Sequence, residues 1–372
     1  MKINTFKLER YFAQYEFKAP YLLCTSDCES FSVREILDLE KGTDEKFNNL
    51  WLGYTETMGN GSLREAISTL YTETASSNIM VCAGAQEAIF IFINTLLDKG
   101  DHVIVQTPCY QSLSEVANSV GCTISEWKMK DERNWELQIE KLKDMLRENT
   151  RAIILNFPNN PTGAMISSKE LNEIVSMAEK NGIYIFLDEV YRFLEYDEKD
   201  RLPSICDIYD KGVSLNVMSK SFGLPGLRIG WLATRDKKLM GDLAAFKDYT
   251  TICSSAPGEF LATIALHHHQ KLLNRNKKII ASNFELLESF FTRFPSHFKW
   301  TKPIAGPLLF PKLLFTSDAH AFCMDLLDKK GVLLAPGILF NKNEPYIRIG
   351  MGRKNMPEAL ALLEAYLKEL NK

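Results

Sequence analysis

Two charged residues stand where a buried chain should carry none. The run "VSLNVMSK" delivers Lys220 at the end of a string of apolar side chains, and "IYIFLDEVY" places Asp188 directly after five of them. A lysine held away from water loses part of its preference for the charged form, so a usable fraction is the neutral amine, a nucleophile for a carbonyl carbon. A poorly solvated aspartate wants a cationic or hydrogen-bonding partner, although capping the next helix would also satisfy it. Residues 156–163, "NFPNNPTG", are too rich in Asn, Pro and Gly to continue helix or sheet and read by themselves as a tight turn. After the lysine, "SKSFGLPGLRIGW" brings Gly223, Gly226 and Gly230 with Arg228 among them. Glycines permit tight turns and close backbone approach, and arginine offers a bidentate fork for a phosphate. Taken alone, that stretch is an ordinary connection between strands with a surface arginine.

Groups placed in this way need a sheet to carry them. "DHVIVQTP", "RAIILNFP", "GIYIFLDEVY", "VSLNVMSK" and "LRIGWLAT" read as buried strands, each a few β-branched or large apolar residues bounded by Gly, Pro or Asn. Between several of them lie helical patterns: "SLREAISTLYTET", "AQEAIFIFINTLLDKG" and "SSKELNEIVSMAEKNG", the last opening on Ser and closing on Gly. The alternation predicts an α/β fold, a large domain with a mostly parallel mixed sheet flanked by helices. In such a sheet ligands sit beyond the carboxyl ends of the strands, where Asn156, Asp188 and Lys220 fall. From residue 278 the texture changes to a long helix, short strands and the final helix "MPEALALLEAYLKEL", a smaller α+β domain. The first 45 residues lack the alternation and are assigned to it. The expected division is therefore 46–277 for the large domain, with 1–45 and 278–372 forming the small one.

The 372-residue chain is 45% hydrophobic with a formal charge of −3. It is long enough for a large core and has no charge excess to attract nucleic acid or anionic lipid. Eight scattered cysteines show neither a Cys-x-x-Cys pair nor a zinc spacing, which suggests reduced core thiols in a cytoplasmic protein and no metal. "HHH" at His267–His269 is a solvated helix face, because consecutive helical residues point about 100° apart. The charged, aromatic N-terminus is unlike a signal peptide, and no uncharged apolar run reaches the ~20 residues of a membrane span.

One ligand would satisfy the whole set: a carbonyl for Lys220, a basic ring nitrogen for Asp188, a phenolic oxygen for an Asn amide, a phosphate for Arg228 and a helix N-terminus. Pyridoxal phosphate (PLP) has all four. With "NNPTG", "DEVY" and "SKSFGLPGLRIGW" in this order, the chain resembles the class I/II aminotransferases, the fold-type-I PLP enzymes, over nearly its whole length. The resemblance implies that Lys220 forms the Schiff base (the internal aldimine) and shuttles the substrate α-proton, and that Asp188 holds the pyridine nitrogen protonated. Asn160 and Tyr191 would bond the phenolic oxygen. Gly84, Ala85 and Gln86 would form the phosphate cup with Ser219 and Arg228, and Tyr110 would stack on the ring. Tyr54, in "GYTETMGNGSLREAI", is similar to the tyrosine that reaches the neighbouring subunit's phosphate, which implies a homodimer with shared active sites. Arg348, in "EPYIRIGMG", matches the arginine that clamps the substrate α-carboxylate, and Asn160 is expected to bind substrate as well.

Two positions depart from the family pattern. Val217 stands three residues before the lysine, where a phosphate-binding hydroxyl is common, leaving Ser219 or Asn216 to compensate. The N-terminal substrate loop reads "Ser26-Asp27-Cys28-Glu29-Ser30" in place of a Gly-x-Pro motif. Acidic residues there would favour a basic substrate side chain, although solvated loop carboxylates explain them as simply. The implied activity moves an amino group between an L-amino acid and a 2-oxo acid; elimination, cyclisation or oxidation on the same cofactor remains the alternative. A non-catalytic PLP-binding regulator would need a DNA-binding segment, and the first 50 residues show no helix-turn-helix. "Gly223-Leu224-Pro225-Gly226" is neither a dinucleotide fingerprint nor a Walker loop.

Overall fold

The computed structural model describes residues 2–370. The five expected runs form the strands His102–Thr107, Thr150–Asn156, Tyr184–Asp188, Gly212–Val217 and Gly230–Ala233, and two more complete a seven-stranded sheet. Its order is Ile79–Cys82, Gly230–Ala233, Gly212–Val217, Tyr184–Asp188, Thr150–Asn156, His102–Thr107, Thr123–Lys128. Gly230–Ala233 runs antiparallel to both neighbours; the other pairings are parallel. The two added strands carried weak signals. Ile79–Cys82 is only four residues long, and Thr123–Lys128 is a half-exposed edge whose polar "TISEWK" lacks an apolar run.

Alternation explains why the inner strands are apolar throughout. Ala152, Ile154, Tyr184 and Phe186 join one core cluster, while Ile153, Leu155, Ile185 and Leu187 join another, since successive side chains point to opposite faces. Helix Ala85–Leu96 covers the first face, stacking Phe92 on Phe186 at 4.5 Å, and helix Ser168–Asn181 adds Leu171 and Ile174 to the second. The latter helix starts at a Ser167–Glu170 capping box and stops at Gly182, φ 65°.

A third cluster joins Leu23 to side chains between Phe284 and Leu367. Tyr21–Leu22 pairs in parallel with Val332–Leu333, and the N-terminal helix Lys7–Tyr15 is tied down by Tyr11, whose hydroxyl donates to the Leu334 carbonyl at 2.7 Å. Helix His269–Arg293 runs unbroken across position 277.

Two elements are shorter than their patterns. The helix expected over 62–74 ends at Ser68, because Asp207 captures the N–H groups of Thr72 and Glu73 and the Thr74 hydroxyl. The strand expected from Leu227 begins only at Gly230, after a 3₁₀ turn at Pro225–Leu227 and a left-handed Arg228, φ 52°. Register then gathers the site. Asn156 is the partner of Asp188, and Gly230 lies beside both Cys82 and Val217, so all these positions share one edge of the sheet.

Behind that edge Glu189 anchors the turn after Asp188. It is 2% exposed and accepts from the Ser204 hydroxyl, the Ile205 N–H at 2.9 Å and the Ser214 hydroxyl at 2.9 Å. Replacing it with alanine leaves those buried donors without an acceptor, so Glu189→Ala should lower the unfolding free energy by about 3 kcal/mol in urea titrations. Unchanged stability would show that the network does not hold the turn.

Candidate active site

A cavity of about 640 Å³ opens at this edge, with Lys220 and Asp188 in its wall. The strand Gly212–Val217 stops three residues short of Lys220, so the lysine is carried by the turn that follows rather than by the strand itself. Its Nζ donates to Ser26 Oγ at 2.9 Å. Burial pulls its pKa below the usual lysine value and nearby Arg348 adds to the shift, against the opposing charges of Asp27, Glu9 and Asp188. Asp188 ends its strand at 4% exposure and accepts from the Val190 N–H at 3.2 Å. Burial raises its carboxyl to about 7, in spite of that hydrogen bond and the lysine charge. Sequence suggested two residues each wanting a partner, and the fold brings them to one cavity.

Arg348, on the strand Ile347–Gly350, is wholly buried. Its Nε donates to the Cys24 carbonyl at 3.0 Å and its Nη1 to Asn160 Oδ1 at 3.1 Å, while Nη2 has no partner. The guanidinium lies 5.0 Å from the Phe340 ring and 5.7 Å from Phe12, and no carboxylate pairs with it among the described residues. Asn160 itself is fixed by Asn156, whose Oδ1 accepts the Asn160 N–H at 2.8 Å. With its oxygen turned to Arg348, Asn160 keeps its amide NH₂ as a donor on the cavity wall. Tyr191, 1% exposed, lines the same wall; its hydroxyl is near Ser26 but forms no well-shaped hydrogen bond.

The opposite end suits an anion. Helix Ala85–Leu96 begins here with Ala85 and Gln86 on the cavity, and its first N–H groups have no partners within the helix. Gly84, φ 83°, admits Arg228, since a Cβ there would run into the guanidinium. Gly230 does the same for the helix end: its Cβ would stand 2.8 Å from the Gly84 carbonyl carbon and 3.0 Å from the Ala85 nitrogen. These close approaches account for Gly84 and Gly230, whereas a Cβ at Gly226 would meet nothing within 4 Å. Val217 does line the cavity without a hydroxyl. Of its two possible substitutes, Ser219 lies on the cavity, whereas Asn216, whose oxygen accepts the Val217 N–H at 2.8 Å, is not among the lining residues.

Tyr110 lines the cavity, donating to Glu9 Oε1 at 2.8 Å with its ring 5.0 Å from Phe6. Tyr54 is elsewhere, 86% exposed in a separate surface groove with Trp51. The helical part of the N-terminal wall was not foreseen, although sequence already marked its loop as the substrate loop. Glu9, Phe12 and Glu16 come from the first helix and its end, Ser26 and Asp27 from the loop after it. The simple reading of Asp27 as a solvated loop carboxylate is corrected: its side chain is 13% exposed, lines the cavity and pairs with Arg353 at 2.8 Å. Only the spacing of positions 9, 12 and 16 on one helix face could have signalled the helical part of this wall.

These groups fit PLP: an amine for the aldehyde, a buried carboxyl for the ring nitrogen, two donors for the phenolic oxygen, and a helix N-terminus, hydroxyl and guanidinium for the phosphate. The unpartnered Tyr191 hydroxyl is the local sign that something polar belongs there. Comparison with known proteins agrees. A probable aspartate aminotransferase of Methanocaldococcus jannaschii is 28% identical over 370 residues, covering 92% of this chain and 94% of its own. The structure of a PLP-dependent aminotransferase from Streptococcus suis superposes with a TM-score of 0.94 at 32% identity over the full length of both chains. A PLP-dependent cyclase, OrfR, gives 0.91 at 26% identity, covering 99% and 98%. The pattern of the family described as aminotransferase class I and II matches residues 22–363. The chain belongs to that family, with its fold-type-I architecture and pyridoxal phosphate as cofactor.

Proposed function

We propose that the protein moves an amino group between an L-amino acid and a 2-oxo acid, with Lys220 as the proton carrier and Arg348 as the carboxylate clamp. Arg348 is the observation that carries this reading. A buried guanidinium without a counter-ion and with one nitrogen unbonded is costly until an anion arrives, and a planar carboxylate matches its fork. Bound PLP supplies an aldehyde that captures the amine and a ring that withdraws electrons from the bond to the α-hydrogen.

The chain's residues do the rest. Lys220, its pKa lowered, offers a neutral Nζ that takes the α-proton and gives one back. Asp188 holds a positive charge opposite its carboxylate, the partner that its buried position lacks otherwise. Tyr191 and Asn160 donate hydrogen bonds, and the helix at Ala85, with Ser219 and Arg228, grips the anionic end. Eight free cysteines support a cytoplasmic location, and no helix among the described residues is long and apolar enough to cross a membrane. The TM-score of 0.91 to a cyclase favours a second reading, in which the same proton transfer by Lys220 leads to ring closure.

Trp51, Leu52, Tyr54 and Tyr249 are 82%, 76%, 86% and 93% exposed, an apolar surface that a second copy would cover. In that homodimer Tyr54 serves the neighbour's cavity; sedimentation velocity should give a dimer mass, and a monomer at micromolar concentration would remove the shared site.

Mixing holoenzyme with an amino acid should yield the pyridoxamine form and one equivalent of 2-oxo acid. The matching decarboxylated amine should react at least ~100-fold more slowly for want of the Arg348 contact. Borohydride reduction should label Lys220, and a label on another lysine would overturn its role; a cyclic product with the cofactor unchanged would overturn transamination. A raised folded pKa makes the Asp188 contribution full below about pH 4 and lost as pH rises through about 7. In the cofactor-free chain, urea titrations at pH 5 and pH 8 should show that Asp188→Asn removes this decline, on the order of 3 kcal/mol between the two. The same change should slow turnover ~100-fold or more.

A further inference from the structure

We propose that the substrate's side chain ends in a cation, an amine or a guanidinium, received by Glu9, Glu16 and Asp27 on the N-terminal wall of the Lys220 cavity. This rests on the amino-group transfer proposed above and names the class of amino acid that the site takes.

At 100° per residue, positions 9, 12 and 16 fall within about 60° of one another, so one helix face presents a carboxylate, an aromatic ring and a second carboxylate to the cavity. Phe12 lies between them and carries Arg348 over its ring at 5.7 Å, which sets the clamp for the α-carboxylate beside the acidic wall. Asp27 enters from the loop and bears on the same group: burial first, then the Asp27 charge, raises the pKa of Glu16, with Glu9 acting in the same direction and Arg353 and Lys220 against it.

The cations nearby offset one oxygen of Asp27 but leave Glu9 and Glu16 without an ion pair among the described residues. Arg353 is engaged with Asp27 at 2.8 Å, and exposed Arg10, though on the cavity, forms no ion pair with Glu9 or Glu16 among the described residues. Glu9 uses one oxygen for the Tyr110 hydroxyl, and the Glu16 carboxylate has neither a hydrogen bond nor an ion pair among the described residues. Two buried polar atoms near this wall lack partners: the Tyr191 hydroxyl, 1% exposed on the cavity wall, and the Arg348 Nη2, which lies behind the lining residues Asn160 and Phe12. An α-carboxylate at Arg348 and a distal cation at the acidic wall would satisfy both ends of one molecule. A dicarboxylic amino acid would instead bring a second anion against Glu9, Glu16 and Asp27, and like charges in a partly desolvated cavity repel.

The test is a half-reaction series on holoenzyme with L-lysine, L-ornithine and L-arginine against L-norleucine, which matches lysine's chain without its charge, and against L-aspartate and L-glutamate. Dissociation constants come from spectral titration and kcat/KM from initial rates. At least one cationic amino acid should exceed norleucine by ~10-fold or more and aspartate by ~100-fold or more. Glu16→Gln, and separately Asp27→Asn, should collapse the ratio of lysine (or the preferred cationic substrate) to norleucine towards one, mainly through KM and the dissociation constant. Aspartate or norleucine equalling the best cationic substrate would overturn the proposal and leave amino-group transfer standing, and so would a ratio untouched by both variants. Silence towards every amino acid tested would overturn the transfer reading and this one with it.

Discussion

A sheet covered on both faces has no place for a charge except at the ends of its strands, and this constraint organises the molecule. Ala152 to Leu155 and Tyr184 to Leu187 fill the two cores alternately, so the first groups able to be polar are Asn156 and Asp188 at the strand ends. Parallel pairing sends those ends to a single edge. The antiparallel strand Gly230–Ala233 then starts at that edge, which brings Arg228 back beside the helix that opens at Ala85. The close approach of Gly230 to the Gly84–Ala85 peptide makes the helix end and the arginine parts of one anion site.

The cavity is also a balance of charges that are poorly paired without a ligand. Asp188 is pushed towards its neutral form, Lys220 towards its neutral form, and Arg348 has its charge opposed by burial with no carboxylate in contact. Each is expensive alone, and each matches a different part of one bound assembly. Glu189, one residue from Asp188, shows the contrast: its buried carboxylate is satisfied by the Ser204, Ile205 and Ser214 donors and belongs to the scaffold.

Legibility in the sequence followed how local the signal was. Lys220, Asp188 and Asn156 could be read because an apolar run ending in a polar residue marks a strand end, Asn160 came only with the motif around it, and the fold class followed from the same runs. Arg348 is an arginine in a short strand and became meaningful only through the motif around it. The N-terminal wall was least legible: Glu9 and Glu16 look like ordinary helix charges until the helix is placed by contacts such as Tyr11 with Leu334, 323 positions away. Ile79–Cys82 and Thr123–Lys128 escaped for a related reason, one being very short and the other an edge whose polar residues hide its pairing.

The pairing of Tyr21–Leu22 with Val332–Leu333 bears on how the molecule is made. A chain emerging from the ribosome can close its central sheet once Ala233 has been synthesised, which already sets Lys220, Asp188 and Arg228 at one edge. The segment that supplies Glu9, Phe12, Ser26 and Asp27 must wait about a hundred residues longer for its partner strand. Vectorial synthesis therefore separates the two halves of the site in time: the cofactor wall can form while the chain is still growing, and the substrate wall waits for the strand at Val332–Leu333.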